Sequence, residues 1–207
     1  TEGFGDLLRI GYQNRPLLFD LNIKLPELLY ERVVEVAERL DSKGNIIKNV
    51  NEEEVRLSLK KAKLDGINSL AIAFMHSYIN PDHENKIAKI AFEEGFNQIS
   101  VSHKVSPLIK LVGRGDTTIV DAYLSPILRR YVNQVSEELK ETKSTKLMFM
   151  QSNGGLTDAK FFQGKDALLS GPAGGVVSMV QTGKQAGYNK LIGFDMGGTS
   201  TDVCHFA

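Results

Sequence analysis

The sequence holds 207 residues, 42% hydrophobic and 24% charged, a composition suited to a folded chain with one large or two small cores. Its 25 basic and 25 acidic side chains cancel, which removes any electrostatic case for nucleic acid or an anionic membrane as partner. A single cysteine, Cys204, excludes an intramolecular disulfide, fits a reducing cytoplasm and sets the expected location there. No apolar run approaches the roughly 20 residues of a membrane-spanning helix, and no signal-peptide pattern is visible. Both ends read as interior sequence, so the expectation is a fragment of a longer protein.

Residues 1–30 are irregular, with turn signals at Gly11, Arg15-Pro16 and Pro26, and residues 17–23 read as a short strand or a surface loop. Residues 32–50 predict a β-hairpin around the turn cluster 41–45; residues 31–40 also fit one face of a helix. Asn51 followed by Glu54 is a capping-box signature opening a helix that ends at Gly66. The run 70–75 is apolar and of strand length. Asn80-Pro81 predicts an N-cap and first-turn proline for a helix closed by Gly95, and residues 99–101 predict the next strand. Strand, helix, strand in this order predicts a parallel sheet with helices on its faces.

The Gly113-Arg114-Gly115 stretch predicts a break. Helical spacing then runs over 117–140, with Pro126 predicting a kink or two abutting helices. Residues 147–150 form a strand ending at Ser152-Asn153-Gly154-Gly155, a position where α/β folds place ligands. A strand, loop and helix follow over 168–187, then the apolar strand 191–194.

That last strand delivers the chemistry. Asp195 stands at its end, Gly197 and Gly198 turn the chain, and Thr199, Ser200, Thr201 and Asp202 lead into a second strand. Paired glycines let backbone N–H groups approach phosphate oxygens with no Cβ in the way, and the hydroxyls add donors. Asp195 can hold the water shell of a Mg²⁺, which keeps several waters and takes one or two carboxylates. The plain alternative is an ordinary hairpin with a glycine turn. Directly upstream, Ala173, Gly174, Gly175, Ser178 and Gly183 sit on a small-residue helix suited to close helix–helix approach.

The order of helix, strand and aspartate hairpin resembles the interdomain helix and second phosphate loop of the actin-like ATPases. More narrowly, Thr1-Glu2-Gly3-Phe4-Gly5-Asp6, Asn14-Arg15-Pro16 and Phe19-Asp20-Leu21 resemble the N-terminal region of the hydantoinase/oxoprolinase family. Ser152-Asn153-Gly154-Gly155-Leu156, Ser170-Gly171-Pro172-Ala173-Gly174-Gly175 and Phe194-Asp195-Met196-Gly197-Gly198-Thr199 resemble the region that follows it. The resemblance covers essentially the whole chain. Within the family, Phe19-Asp20-Leu21 with Leu25-Pro26-Glu27 is more similar to members that open 5-oxoproline than to those acting on N-methylhydantoin or acetone.

The resemblance implies an α/β fold, an incomplete actin-like ATPase (ribonuclease H-like) domain with a parallel or mixed sheet and flanking helices. Residues 1–112 would be the C-terminal part of the family's N-terminal region and 113–207 the start of the next. It implies ATP and Mg²⁺ as cofactors and a small cyclic amide as substrate, opened with ATP hydrolysis. Asp195 would act catalytically through Mg²⁺-bound water. Gly197, Gly198, Thr199, Ser200, Thr201 and Asp202, with Gly174 and Gly175, would form the nucleotide site. Apart from the resemblance, Asn153 and Gly154 at their strand end read as facing substrate or as a plain turn, and Arg114 in its loop as a contact to substrate or phosphate or as a loop salt bridge. The family's first Asp-Gly-Gly-Thr loop and its second lobe are not among these residues. The chain is therefore expected to be inactive alone and to work with the remainder of the enzyme or a partner subunit in a homo- or hetero-oligomer. A non-catalytic remnant or split-gene subunit is the other reading. The four histidines share no metal-ligand spacing and read as structural.

Overall fold

A computed structural model describes residues 1–12, 17–139 and 146–207; the Asn14-Arg15-Pro16 motif and the predicted end of the long helix at residue 140 lie outside the described residues. The expected α/β class holds. Two compact units divide the chain, Thr1–Pro126 and Ile127–Ala207.

The first unit opens with a short helix α1 (Leu7–Ile10) and a small antiparallel pair, β1 (Arg39–Leu40) and β2 (Ile46–Lys48). Only this tip of the predicted 32–50 hairpin forms. Its turn is fixed by Asp41, whose Oδ1 accepts from Lys43 N and Asn45 N at 2.8 Å each, and by Gly44 at φ +85°, a conformation that favours glycine. Residues 31–38 are neither strand nor helix. Their carboxylates tie them elsewhere: Glu35 Oε1 accepts from Gly3 N and Gly5 N, and Glu38 bonds Thr1 Oγ1 and His83 Nδ1.

Helix α2 (Glu52–Leu64) starts where the capping signature places it, with Asn51 Oδ1 accepting from Glu53 N and Glu54 N. Strand β3 (Ser69–Ile72), helix α3 (Asp82–Glu93) and strand β4 (Gln98–Val101) follow, and β3 pairs parallel to β4 in register from Ser69↔Gln98 to Ile72↔Val101. Val55, Leu59 and Ala62 of α2 meet Ile87, Ile90 and Ala91 of α3 and Ile72 and Val101 of the strands in one apolar core. After the short helix α4 (Ser102–Val105), the long helix α5 (Leu111–Glu138) runs past the end of the first unit.

The break expected at Gly113-Arg114-Gly115 does not occur, because α5 begins at Leu111. Gly115 serves packing there: a Cβ on it would stand 2.7 Å from Leu8 Cδ2 of α1. Helix α5 also continues through Pro126, although that proline can give no N–H to the preceding turn.

The second unit holds the antiparallel pair β5 (Met148–Met150) and β6 (Leu156–Asp158), then helices α6 (Gly164–Ala167) and α7 (Ser170–Gln185). It ends in the antiparallel hairpin β7 (Leu191–Met196) and β8 (Thr201–Phe206). The sheet expectation is met piecewise: one parallel and three antiparallel pairs stand among the described residues.

Candidate functional site

The hairpin of β7 and β8 pairs in register from Leu191↔Phe206 to Met196↔Thr201, which sets Asp195 directly across from Asp202. Residues opposite one another share a face, with Cβ atoms about 5 Å apart. The two carboxylates thus emerge side by side at the exposed end of the sheet. Like charges so placed destabilise an antiparallel pair, and a cation between them would reverse that sign. Gly197 N donates to Ser200 O at 2.9 Å and closes the turn. Neither Gly197 nor Gly198 has positive φ, so the turn's shape does not demand glycine. What Gly198 contributes is space, since a Cβ added there would meet nothing within 4 Å. Thr199, Ser200 and Thr201 are exposed beside it.

The face carrying Asp195 and Asp202 continues through Gly193, Cys204 and Leu191 onto α7. A Cβ on Gly193 would stand 2.5 Å from Met179 Sδ and 2.6 Å from Cys204 Sγ, and Gly183 is covered by Leu191. Gly174 lies against Met150 of β5, 3.5 Å from where its Cβ would be, whereas Gly175 faces open space. The small residues of α7 therefore admit strands where helix–helix contact was expected. Helix α7 also receives the Ser152-Asn153-Gly154-Gly155 turn. Ser152 Oγ accepts from Leu169 N at 3.0 Å and donates to Asp166 O at 2.7 Å, Asn153 Oδ1 accepts from Gly155 N at 2.8 Å, and a Cβ on Gly154 (φ +81°) would meet Val177. Asn153, Gly154, Gly174, Gly175 and the hairpin residues thus belong to one unit, linked through α7.

Arg114 lies in the other unit and is fully buried. Its Nε donates to Ser102 Oγ at 2.9 Å, Nη1 to Leu108 O and Ile109 O, and Nη2 to Phe74 O and Met75 O, with the Tyr78 ring 5.4 Å away. Burial pushes this guanidinium below its ordinary pKa, and nearby Glu84 opposes the shift. Such a residue holds a fold together.

Around Arg114 runs a buried polar network absent from the sequence reading. Glu84 accepts from Phe74 N, Ser102 Oγ, His103 N and His103 Nδ1, the last at 2.6 Å, and His83 Nδ1 lies 2.6 Å from Glu38 Oε2. The signal was present: His83 and Glu84 sit one turn ahead of Ile87 on the apolar stripe of α3, and polar residues on such a stripe are buried with partners. The structural reading of His83 and His103 stands, and no cluster of three metal-ligating side chains exists among the described residues. Two carboxylates plus phosphate oxygens and water still suit Mg²⁺, which rarely takes an all-protein cage. Asp195, Asp202 and the open Gly198 accordingly fit a metal-bound phosphate. No helix among the described residues is long and apolar enough to cross a membrane.

Fold and hairpin together define an α/β segment of the actin-like ATPase type. Comparison with known proteins narrows this. The family profile described as hydantoinase/oxoprolinase N-terminal region matches residues 1–95, and the hydantoinase/oxoprolinase profile matches 114–207. The chain belongs to the hydantoinase/oxoprolinase family. It is 43% identical to 5-oxoprolinase of Saccharomyces cerevisiae over all of this chain and 18% of that protein. Among solved structures it matches an acetone carboxylase from a study of ATP-dependent acetone carboxylation (TM-score 0.87, 25% identity, all of this chain and 31% of that one). It likewise matches the ATP-dependent caprolactamase of Pseudomonas jessenii (TM-score 0.84, 26% identity, 99% and 31%). The chain thus spans under a third of these proteins.

Proposed function

We propose that these residues form part of an enzyme that opens 5-oxoproline, converting 5-oxo-L-proline, ATP and water to L-glutamate, ADP and phosphate. The hairpin supplies one wall of the nucleotide site. The observation that carries this reading is the pairing of Asp195 with Asp202 beside the open Gly198, on a chain whose 43% identical relative is a 5-oxoprolinase.

An amide carbonyl is a poor electrophile, and bound Mg·ATP supplies the phosphoryl group that makes its oxygen leave readily. The chain's own residues do the positioning. Asp195 orients metal-bound water, Asp202 steadies the opposite side, Gly197 closes the turn through its N–H to Ser200 O, and the N–H groups of Gly198 and Thr199 with the hydroxyls of Ser200 and Thr201 take phosphate oxygens. Fixed donors aimed at developing charge supply most of the rate in such chemistry. Gly174 and Gly175 border the nucleotide and Asn153 and Gly154 the substrate, with the family's two regions meeting near Gly113. Activity requires the remainder of the enzyme or a partner subunit, in the cytoplasm.

The test is phosphate release by the full-length protein with 5-oxoproline, N-methylhydantoin or caprolactam. Release with 5-oxoproline alone is expected, and Asp195→Asn should lower kcat about 100-fold or more. Turnover indifferent to substrate, or an unaffected Asn variant, would overturn the assignment. A partner-dependent piece that binds no nucleotide by itself is the second reading, favoured by the 18% span. Calorimetry of Mg·ATP with the 207-residue chain and its Asp195→Ala variant separates the two.

A further inference from the structure

The hydrogen bonds that tie the turn after β5 to the start of α7 all belong to Ser152. Its N and its Oγ each donate to Asp166 O at 2.7 Å, and its Oγ accepts from Leu169 N at 3.0 Å. Leu169 immediately precedes α7 and its own side chain caps nothing, so the Ser152 hydroxyl fixes where this helix begins. Farther along, Met179 of α7 lies against Gly193 of β7, two residues before Asp195. A single helix is thus the common support of the turn and of the aspartate hairpin.

Asn153, the next residue, is exposed. Its Oδ1 accepts from Gly155 N at 2.8 Å, and Gln151 N donates to Gly155 O at 2.8 Å to close the turn. With Oδ1 so used, the Nδ2 end of the side chain is the one left to meet a ligand, and it is purely a donor. A cyclic amide presents its carbonyl oxygen as an acceptor, and 5-oxoproline adds a carboxylate. An exposed donor on a turn with glycines at 154 and 155 has a fixed place only if the backbone beneath it is held. Ser152 does the holding.

We propose that Ser152 is a positioning residue for the cyclic amide: by pinning the turn to the start of α7, it holds the Asn153 Nδ2 donor where an acceptor oxygen of the substrate arrives. Ser152 acts through Asn153 and touches no reacting atom. The inference rests on the reading that this turn borders the substrate. Without the hydroxyl, the turn must be ordered at the moment the amide binds, and that cost falls on the amide and not on Mg·ATP. A serine that merely stabilised α7 would disturb both ligands alike.

Steady-state kinetics of the full-length protein test this, with 5-oxoproline, N-methylhydantoin or caprolactam varied separately from Mg·ATP. Ser152→Ala should raise KM for the accepted amide about tenfold, the equivalent of one hydrogen bond, with KM for Mg·ATP changed less than about twofold. Ser152→Thr should restore most of the loss. Ser152→Cys, whose thiol bonds weakly, should give a smaller rise in the same direction and serves where the alanine variant does not fold. Asn153→Ala should show the same amide-specific rise, and adding Ser152→Ala to it should cost little more, because residues acting through one another are non-additive. A parental amide KM in the Ser152 or Asn153 variants, an equal rise for both ligands, or full additivity would overturn the proposal, and the parent's turnover would leave the functional reading standing. A parent that turns over none of the three amides would sink that reading and the proposal with it.

Discussion

Arg114 shows how a residue's chemistry can suggest one role and its surroundings assign another. Glycines on both sides suggested a loop arginine that meets substrate or phosphate or forms a salt bridge in the loop. The guanidinium instead spends its donors on Ser102 Oγ and four backbone carbonyls, and the flanking Gly115 is there because Leu8 is. Arg114→Ala would leave those acceptors buried without donors and Glu84 without its nearby positive charge. We expect a loss of about 3–5 kcal/mol in stability, read by denaturant unfolding of the first unit, with Arg114→Lys intermediate because ammonium cannot reproduce the fork. At the hairpin the sequence was more informative. Asp195, the glycine pair and Asp202 fall where a two-residue period and a turn must put them. Their facing arrangement follows from register, which spacing alone leaves open.

At the scale of elements, helices with a cap and an apolar stripe were legible: α2 begins at its Asn51 cap, and α3 and α7 lie within two residues of expectation. Residues 31–38 were not, since both expected periodicities fit locally while side-chain bonds to distant residues decided the outcome. Strand β6 and helix α4, three and four residues long, carry too little pattern to read. Helices α2 and α3 are also joined by charge, Arg56 bonding Glu93 at 2.6 Å and Glu94 at 2.5 Å. The guanidinium holds the Glu93 carboxyl below its ordinary value near 4.5. A carboxylate depressed on folding contributes stability above its unfolded value and loses it as pH falls through the folded one. The difference in melting temperature between the parent chain and Arg56→Ala should therefore be present at neutral pH, fade as pH falls from the ordinary carboxylate range through the lowered folded value, and shrink in salt. The Arg56–Glu93 pair is exposed enough for its part of the effect to be small.

For the whole molecule, the two units differ in how much they bury. The apolar core cluster belongs entirely to the first unit. In the second, the face of the hairpin away from α7 presents Ile192, Phe194, Met196 and Val203, each more than 60% exposed. Contiguous apolar surface of this kind marks a contact site or an aggregation liability. The 207-residue chain alone should scatter light as oligomers at micromolar concentration, and Phe194→Lys with Val203→Lys should return it to monomer. A monodisperse monomer without those changes would count against a covered face. Sequence reading reached this scale through length and motif, since paired family regions over 207 residues implied a larger enzyme. It did not reveal which surfaces the remainder covers, because exposure is a property of the assembled fold.

The contact between Cys204 and Met179 has a practical side. Their sulfurs lie 3.7 Å apart, joining β8 to α7 where Gly193 leaves no spare room. This is the single thiol of the 207 residues and it is only partly buried, with Met179 of α7 covering one side of its sulfur. A bulky alkylating reagent should therefore react faster whenever α7 lifts from the strands, and any ligand that draws Asp195 and Asp202 together should slow it.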